Sequence, residues 1–501
     1  MMSITLGLIC VLLLVLASFY RKPSTLPGPR GLPYFGNVWL YMIGRSSKDI
    51  IPFLKYFVNY YGNIFELQIF GMNYVFGSEA ELVKPILTSH TNITKGRFEW
   101  SFFKPMFRDG VIISEGEKWR TRRKILEPSF HFKILKRSIE SVARYAEEYV
   151  SNLLNSEGKP TEIEDMIYLL TLKIICETAM GVKLNTEDRQ QNEYVKASKL
   201  CHDGAVYRFF KLWLYPDFIY RRSNAGKTFF RSVDIIHDFA TQVIRNRKEL
   251  FIAEKTGSNN QGSTKKDKNA FLDNLLELDD SNPGLFTESD IEEEVSTFMI
   301  AGHNPSAATL KFLHFALANH PDVQEKLYDE QMEIFGNDKR IPTGQDLQKM
   351  IYLEMVIKET LRLYPIVPFQ SRLLEEDLQI DENTIIPAGH HFVVVSFSIH
   401  RSKKHWDNPE EFIPERFAPG NVINPFSFIP FSAGPRSCIG QKYAMMEMKT
   451  IMSTVVRQCW LEPVTTSITL DYGIILKSAE PIIVKAFPRN ENQRINYKRN
   501  N

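Results

Sequence analysis

Apolar residues recur at helical spacing through most of this chain and alternate at strand spacing in only a few short runs. EKWRTRRKILEPSF (117–130), IEDMIYLLTLKIICETAMG (163–181) and PDVQEKLYDEQMEIFG (321–336) read as amphipathic or buried helices. IFELQIF (64–70), HFVVVSF (391–397) and PIIVKAF (481–487) read as strands. The pattern predicts a mainly α protein with small β-sheets. Its longest periodic run starts at Thr287, a candidate N-cap with Asp290 three residues on, and ends near Asn319, just before Pro321. A helix of that length would be about 48 Å long, enough to cross a whole domain. Inside it lies FMIAGHNPSAAT (298–309), with a proline at 305 where an interior helix loses a donor at a cost of roughly 3 kcal/mol.

The amino terminus breaks the pattern. From Ile4 to Tyr20 there is no charge, and Arg21 and Lys22 follow at once. A cleaved signal peptide is the competing reading, but its charged leading region is missing and the basic pair lies on the far side. We therefore expect residues 1–20 to be an uncleaved transmembrane anchor, with the positive pair holding the rest in the cytosol. The sequon at Asn92 should then never meet the glycosylation machinery. Residues 21–37, with prolines at 23, 27, 29 and 33, form a stiff linker, and 38–501 form one large domain. The polar stretch 255–269 reads as a solvated loop within that domain, because helical pattern resumes on both sides.

Composition narrows the partners. Lys and Arg total 61 against 59 for Asp and Glu, so nothing in the charge balance favours nucleic acid. The five cysteines, Cys10, Cys176, Cys201, Cys438 and Cys459, have no paired spacing and indicate a reducing compartment rather than a disulfide framework. No glycine-rich nucleotide loop sits in a strand-to-helix setting.

Chemistry concentrates near the carboxy terminus, in PFSAGPRSCIGQKYAMMEMK, a glycine-punctuated loop presenting Cys438 ahead of a helix from about residue 439. A lone cysteine is more often structural, yet a helix amino terminus and an arginine two residues away favour a thiolate. FSAGPRSCIG resembles the F-x-x-G-x-R-x-C-x-G signature of the cytochromes P-450 at every fixed position: Phe431, Gly434, Arg436, Cys438 and Gly440. The resemblance covers nearly everything after the anchor and is strongest to family 4, the microsomal branch that includes fatty-acid ω-hydroxylases, through EVSTFMIAGH (294–303). It implies the cytochrome P-450 fold and a non-covalent haem b ligated through iron by Cys438. Arg436, Trp119 and Arg123 of WRTRR, and Arg372 of VPFQSR, are implied as haem propionate partners, while Phe431 and Gly434 shape the loop. Glu359, Arg362 and Arg416 resemble the family's structural Glu-Arg-Arg cluster. NADPH would act indirectly, through a cytochrome P-450 reductase, with cytochrome b5 a possible second donor. Arg120, Arg122, Lys124, Lys442 and Lys449 are expected to point outward as a basic docking face.

Two positions depart from the family pattern. The acid and threonine that usually follow in the long helix align with Asn304 and Pro305. Ser306, swung inward by a proline kink, with His303, Asn304 or an ordered water, is expected to take over proton delivery. Ala301 replaces a glutamate that esterifies haem in many members of the branch, so the haem should be free of a covalent link. The function implied is a monooxygenase of the endoplasmic reticulum membrane, catalytic domain in the cytosol, that hydroxylates apolar substrates such as fatty acids, terpenoids, steroids or xenobiotics. A haem-thiolate isomerase or dehydratase acting on hydroperoxides, and an impaired haem protein binding a lipophilic ligand, are the alternatives. YRFFKLWLYPDFIY (207–220) reads equally as core or as a membrane-facing lip.

Overall fold

The computed structural model describes residues 26–32, 35–38, 40, 47–130, 132–184, 189–255, 270–282 and 286–489, together with 7 and 9–12. The expected anchor falls almost wholly outside these, as does the polar loop after Lys255. No helix among the described residues is long and apolar enough to cross a membrane.

The fold is organised around one helix, Glu288–Asn319. It begins as the sequence predicts: the Thr287 hydroxyl accepts from Asp290 N, and the Asp290 carboxylate accepts from Thr287 N in return. From Val295 onward nearly every residue is buried, which suits a helix apolar on all sides and packed among others. Helices Glu164–Thr178, Asn224–Lys255, Ile351–Leu363 and Gln441–Gln458 surround it. Pro305 does not break it, and the helix runs through uninterrupted.

Beside this helical body lies a four-stranded sheet in the order Ile64–Ile69, Met72–Gly77, His391–Val394, Gln370–Leu373. The middle pair is parallel and the outer pairs antiparallel. His391–Val394 is buried throughout, as expected of a strand covered on both faces. The strand read from HFVVVSF stops at Val394 because Ser396 starts a short helix and donates to the Val367 carbonyl at 2.8 Å. A second sheet joins Thr161–Glu162, Ile483–Pro488 and Cys459–Pro463.

The proline-rich segment is fastened to the first strand. Glu66 N donates to Pro27 O, and Asn37 N to Gln68 O. Gly28 and Gly36 leave no room for a side chain, since a Cβ would lie 2.2 Å from Glu66 O and 2.3 Å from Gln68 O respectively. The linker thus has a set direction along the sheet.

The Glu359-Arg362-Arg416 cluster forms as expected. Arg362 holds Glu359 through two bonds of 2.7 and 2.8 Å and spends its remaining donors on the carbonyls of His400, Pro409 and Glu411. Arg416 approaches the same carboxylate at 3.3 Å, and Ile413 N donates to it at 2.8 Å. Both Glu359 and Arg362 are wholly buried, so removing either leaves a bare charge inside the protein. Glu359→Ala should cost about 3–5 kcal/mol and Arg416→Ala distinctly less, read as urea midpoints of the two variants.

Candidate active site: a thiol, four converging cations and an apolar cavity

The loop carrying Cys438 is built by local backbone geometry. Gly434 has φ +68°, and a Cβ there would lie 1.8 Å from the Leu87 carbonyl oxygen, so only glycine fits. Cys438 N donates to Phe431 O at 2.9 Å, closing the loop, and Phe431 packs against the main core. The helix Gln441–Gln458 then starts with Gly440 as its cap. The Cys438 side chain keeps free surface, yet it sits deep enough that burial pushes its thiol pKa up. The Gly440 N–H, Arg123 and Lys95 pull in the opposite sense and favour the thiolate.

Cations crowd the space around this thiol. Arg436 lies over the Trp119 ring at 4.1 Å and donates to the carbonyls of Ile93, Val111 and Ser114. Arg123, on the helix Gly116–Leu126, donates to Ser437 O at 2.9 Å. Arg372 is buried on its strand, held only by the Ser371 carbonyl and the Gln370 side chain. Lys95, bridged through its backbone to Arg372, covers the Trp100 ring at 4.1 Å. None of the four has a carboxylate in ion-pair distance among the described residues. Burial pulls the pKa of Arg372 down to about 10. Burial, with Arg372 and Arg123 adding repulsion, pulls Arg436 to about 9, and Lys95 falls well below its ordinary value for the same reasons. Four converging, uncompensated charges, Arg372 buried and the other three half-buried, are costly unless an anionic group completes them. Two carboxylates beside an iron-binding thiolate do so, and the donor set fits haem. Cys438 would hold the iron, and Arg123, Arg372, Arg436 and Lys95, with Trp119, would hold the propionates. Lys95 was missed in the sequence because it sits alone before Gly96, on no periodic element.

A cavity of about 280 Å³ adjoins this cluster. Its wall includes Ile300, Ala301 and Pro305 of the central helix, a ring of aromatics such as Phe98, Phe209 and Tyr215, and Gln370 and Ser371 next to Arg372. Because Pro305 has no N–H, the carbonyl of Ala301 lacks its usual helical donor and is open to a water.

The other predicted helix residues turn elsewhere. Ser306 donates to Glu447 Oε2 at 2.6 Å, toward the helix that follows Cys438, so the inward swing expected of it does not occur: the helix stays regular. Asn304 donates to Ser198 Oγ at 2.9 Å. His303 donates through Nδ1 to Met299 O and lies among the rings of Tyr168 and Tyr194, and burial lowers its pKa to about 4. Glu447 is fully buried, which raises its pKa to about 8 despite the bond from Ser306, so it carries a proton at neutral pH.

The expected basic face needs correction at two positions. Arg122 is buried and binds Glu294, Glu293 and Asp290, tying its helix to the central one. Lys449 is buried and donates to Leu347 O and Glu354. Arg122 follows Trp119 by three residues and so shares its buried face, whereas Lys449 is drawn inward by its two bonds. Arg120, Lys124 and Lys442 remain exposed. The aromatic stretch divides: Phe209, Phe210 and Tyr215 line the cavity, whereas Tyr207, Trp213 and Phe218 are exposed.

Lys95→Met should loosen the cofactor about tenfold or more, the value of one charge-assisted bond to a carboxylate, while leaving the fold intact. Transfer of haem to an excess of apomyoglobin measures it, with Lys124→Met as the exposed control.

Comparison with known proteins gives the family. The cytochrome P450 family matches residues 26–486. Cytochrome P450 4d2 of Drosophila melanogaster is 35% identical over 479 residues, covering 94% of this chain and 95% of that protein. Cytochrome P450 4V2 of Homo sapiens is 38% identical over 425 residues, covering 83% and 80%. Fold, thiol loop and sequence similarity together make this chain a member of the cytochrome P450 family, a haem-binding monooxygenase that draws its electrons from a reductase.

Proposed function

We propose that this monooxygenase is anchored in the endoplasmic reticulum membrane with its catalytic domain in the cytosol, and that it hydroxylates apolar, lipid-derived substrates. Fatty acids, terpenoids, steroids and xenobiotics form the candidate class. The observation that carries this reading is the aromatic-lined cavity against Ala301 and Pro305, whose lining residues Phe209, Phe210 and Tyr215 share one chain segment with the exposed Tyr207, Trp213 and Phe218. Exposed aromatics of that kind suit a membrane surface, from which an apolar substrate reaches the cavity without crossing water. The stiff linker along the first strand keeps the rim at a constant angle to the lipid.

Haem bound through the Cys438 thiolate supplies the oxidising chemistry, because the sulfur's electron density favours O–O cleavage. The residues of this chain do the rest. Arg123, Arg372, Arg436 and Lys95 hold the propionates, and the Phe431 loop closes over the sulfur. The apolar wall excludes water from the reacting carbon. Proton delivery cannot use the usual acid and hydroxyl. We assign it to water held at the free Ala301 carbonyl, with Ser306, Asn304 and His303 ordering the polar groups behind the helix and Glu447 as a buried acid in contact with Ser306. Arg120, Lys124 and Lys442 offer the docking face for the reductase and for cytochrome b5.

A second reading draws on one observation: Pro305 faces the cavity while Ser306, Asn304 and His303 face away. An isomerase or dehydratase that takes a preformed hydroperoxide needs no external proton path. The two readings separate when the full-length protein is given reductase, NADPH and a panel of fatty acids and terpenoids. Hydroxylated product matching NADPH consumed is the expected result, with severalfold more hydrogen peroxide released by Ser306→Ala at unchanged haem content. Consumption ending only in peroxide, together with reductase-free turnover of a fatty-acid hydroperoxide, would favour the second. The haem should also leave the polypeptide completely on acid and butanone extraction, because Ala301 offers no carboxyl for an ester.

A further inference from the structure

The cavity wall is apolar apart from a few groups, and one of those is a carboxyl with no task in the machinery described above. Glu99 sits on the short helix Arg97–Ser101. Its side chain folds back over Gly96: a Cβ on that glycine would lie 2.1 Å from Glu99 Oε2 and 2.3 Å from Ser371 Oγ. Both groups line the cavity, and the bare glycine is what lets them converge. The Tyr74 hydroxyl bonds to the carboxyl, and His391 Nδ1 stands 3.7 Å from Oε1, too far for a hydrogen bond. Oε2 is buried and has no partner at all. Burial raises the Glu99 pKa, and no cation faces it among the described residues that line the cavity.

A second unpartnered acceptor belongs to another residue of the cavity wall. His202 donates through Nδ1 to Ser198 O at 2.7 Å, which fixes the proton on that nitrogen and leaves Nε2 an acceptor. Nε2 is buried without a partner, and the residue lines the cavity. Burial lowers its pKa, so it stays neutral.

Buried, unsatisfied polar atoms cost free energy, and a ligand that supplies the missing partner recovers it. A site built this way discriminates strongly, because a substrate that lacks the partner leaves the group bare. An unpartnered acceptor calls for a donor. A neutral hydroxyl brings one, whereas a free carboxylate brings only acceptors.

We propose that Glu99 is a specificity-determining residue whose carboxyl group accepts the hydroxyl proton of an otherwise apolar substrate. The preferred class within the proposed function is therefore lipophilic alcohols, such as long-chain alkanols or terpenoid and steroid alcohols, over free fatty acids. The inference rests on the apolar-substrate monooxygenase reading and narrows it.

The test is equilibrium binding to the haem-loaded, full-length protein, with spectral titration by dodecane, 1-dodecanol and dodecanoate. The alcohol should bind at least tenfold tighter than the carboxylate. Glu99→Leu should bring the alcohol to within about threefold of dodecane. Glu99→Gln retains the acceptor oxygen and should keep the alcohol's affinity while improving dodecanoate severalfold. Tighter binding of dodecanoate than of the alcohol in the unaltered protein would overturn the proposal. So would an alcohol-to-carboxylate ratio that neither variant moves. If Glu99→Leu fails to take up haem, the Glu99→Gln titration decides alone. Reductase-supported hydroxylation of dodecane is measured in parallel. Its presence keeps the monooxygenase reading standing whichever way the binding ratios fall, and its absence counts against that reading alone.

Discussion

Positive charge gathered at one point without a compensating carboxylate is the constraint on which this structure depends. Arg123, Arg372, Arg436 and Lys95 come from a helix, a strand, a loop and a turn far apart in sequence, and all four end beside one thiol. Such an arrangement is unfavourable by itself, which is why burial drags their pKa values down. It becomes favourable when a dianionic cofactor enters, so folding energy and cofactor binding are linked. The Glu359-Arg362-Arg416 cluster is the opposite case, a buried guanidinium of Arg362 whose charge is met by the Glu359 carboxylate within the fold itself.

The central helix shows how a fold keeps its shape while its chemistry changes. Pro305 removes one hydrogen bond from the helix, but the residues around it are enclosed on all sides, so packing keeps the axis straight. The change is felt on the cavity side, where a carbonyl is freed and a hydroxyl is lost. Behind the helix, Ser306 and Glu447 remain locked together. Burial sets the pKa of that acid, and no cation stands among the causes that shift it in the described residues.

What was legible in the sequence follows from the range of each interaction. The loop from Phe431 to Gly440 specifies its own backbone, and Gly434 is required by a clash with Leu87 that any side chain would make. The capping box at Thr287 and Asp290 is equally local. Facing was harder. In WRTRRK only Trp119 is apolar, too little for a stripe, and Arg122, three residues on, is held to the buried side by Asp290, Glu293 and Glu294 more than 160 residues away. Lys449 likewise is captured by Glu354 and the Leu347 carbonyl. Ser306 kept the direction of a regular helix because tertiary packing, not the proline, governs the axis.

The segment from Lys95 to Trp100 joins the two halves of the site. Lys95 points to the cation cluster through its contact with Trp100 and its bridge to Arg372, whereas Glu99, one turn later, faces the cavity. Opposite charges four residues apart would ordinarily pair across a helix face. Here Gly96 intervenes and the helix begins only at Arg97, so the backbone turns between them and no ion pair forms. That separation leaves the cation for the cofactor and the carboxyl for the substrate. A single glycine therefore keeps two recognition tasks from cancelling each other.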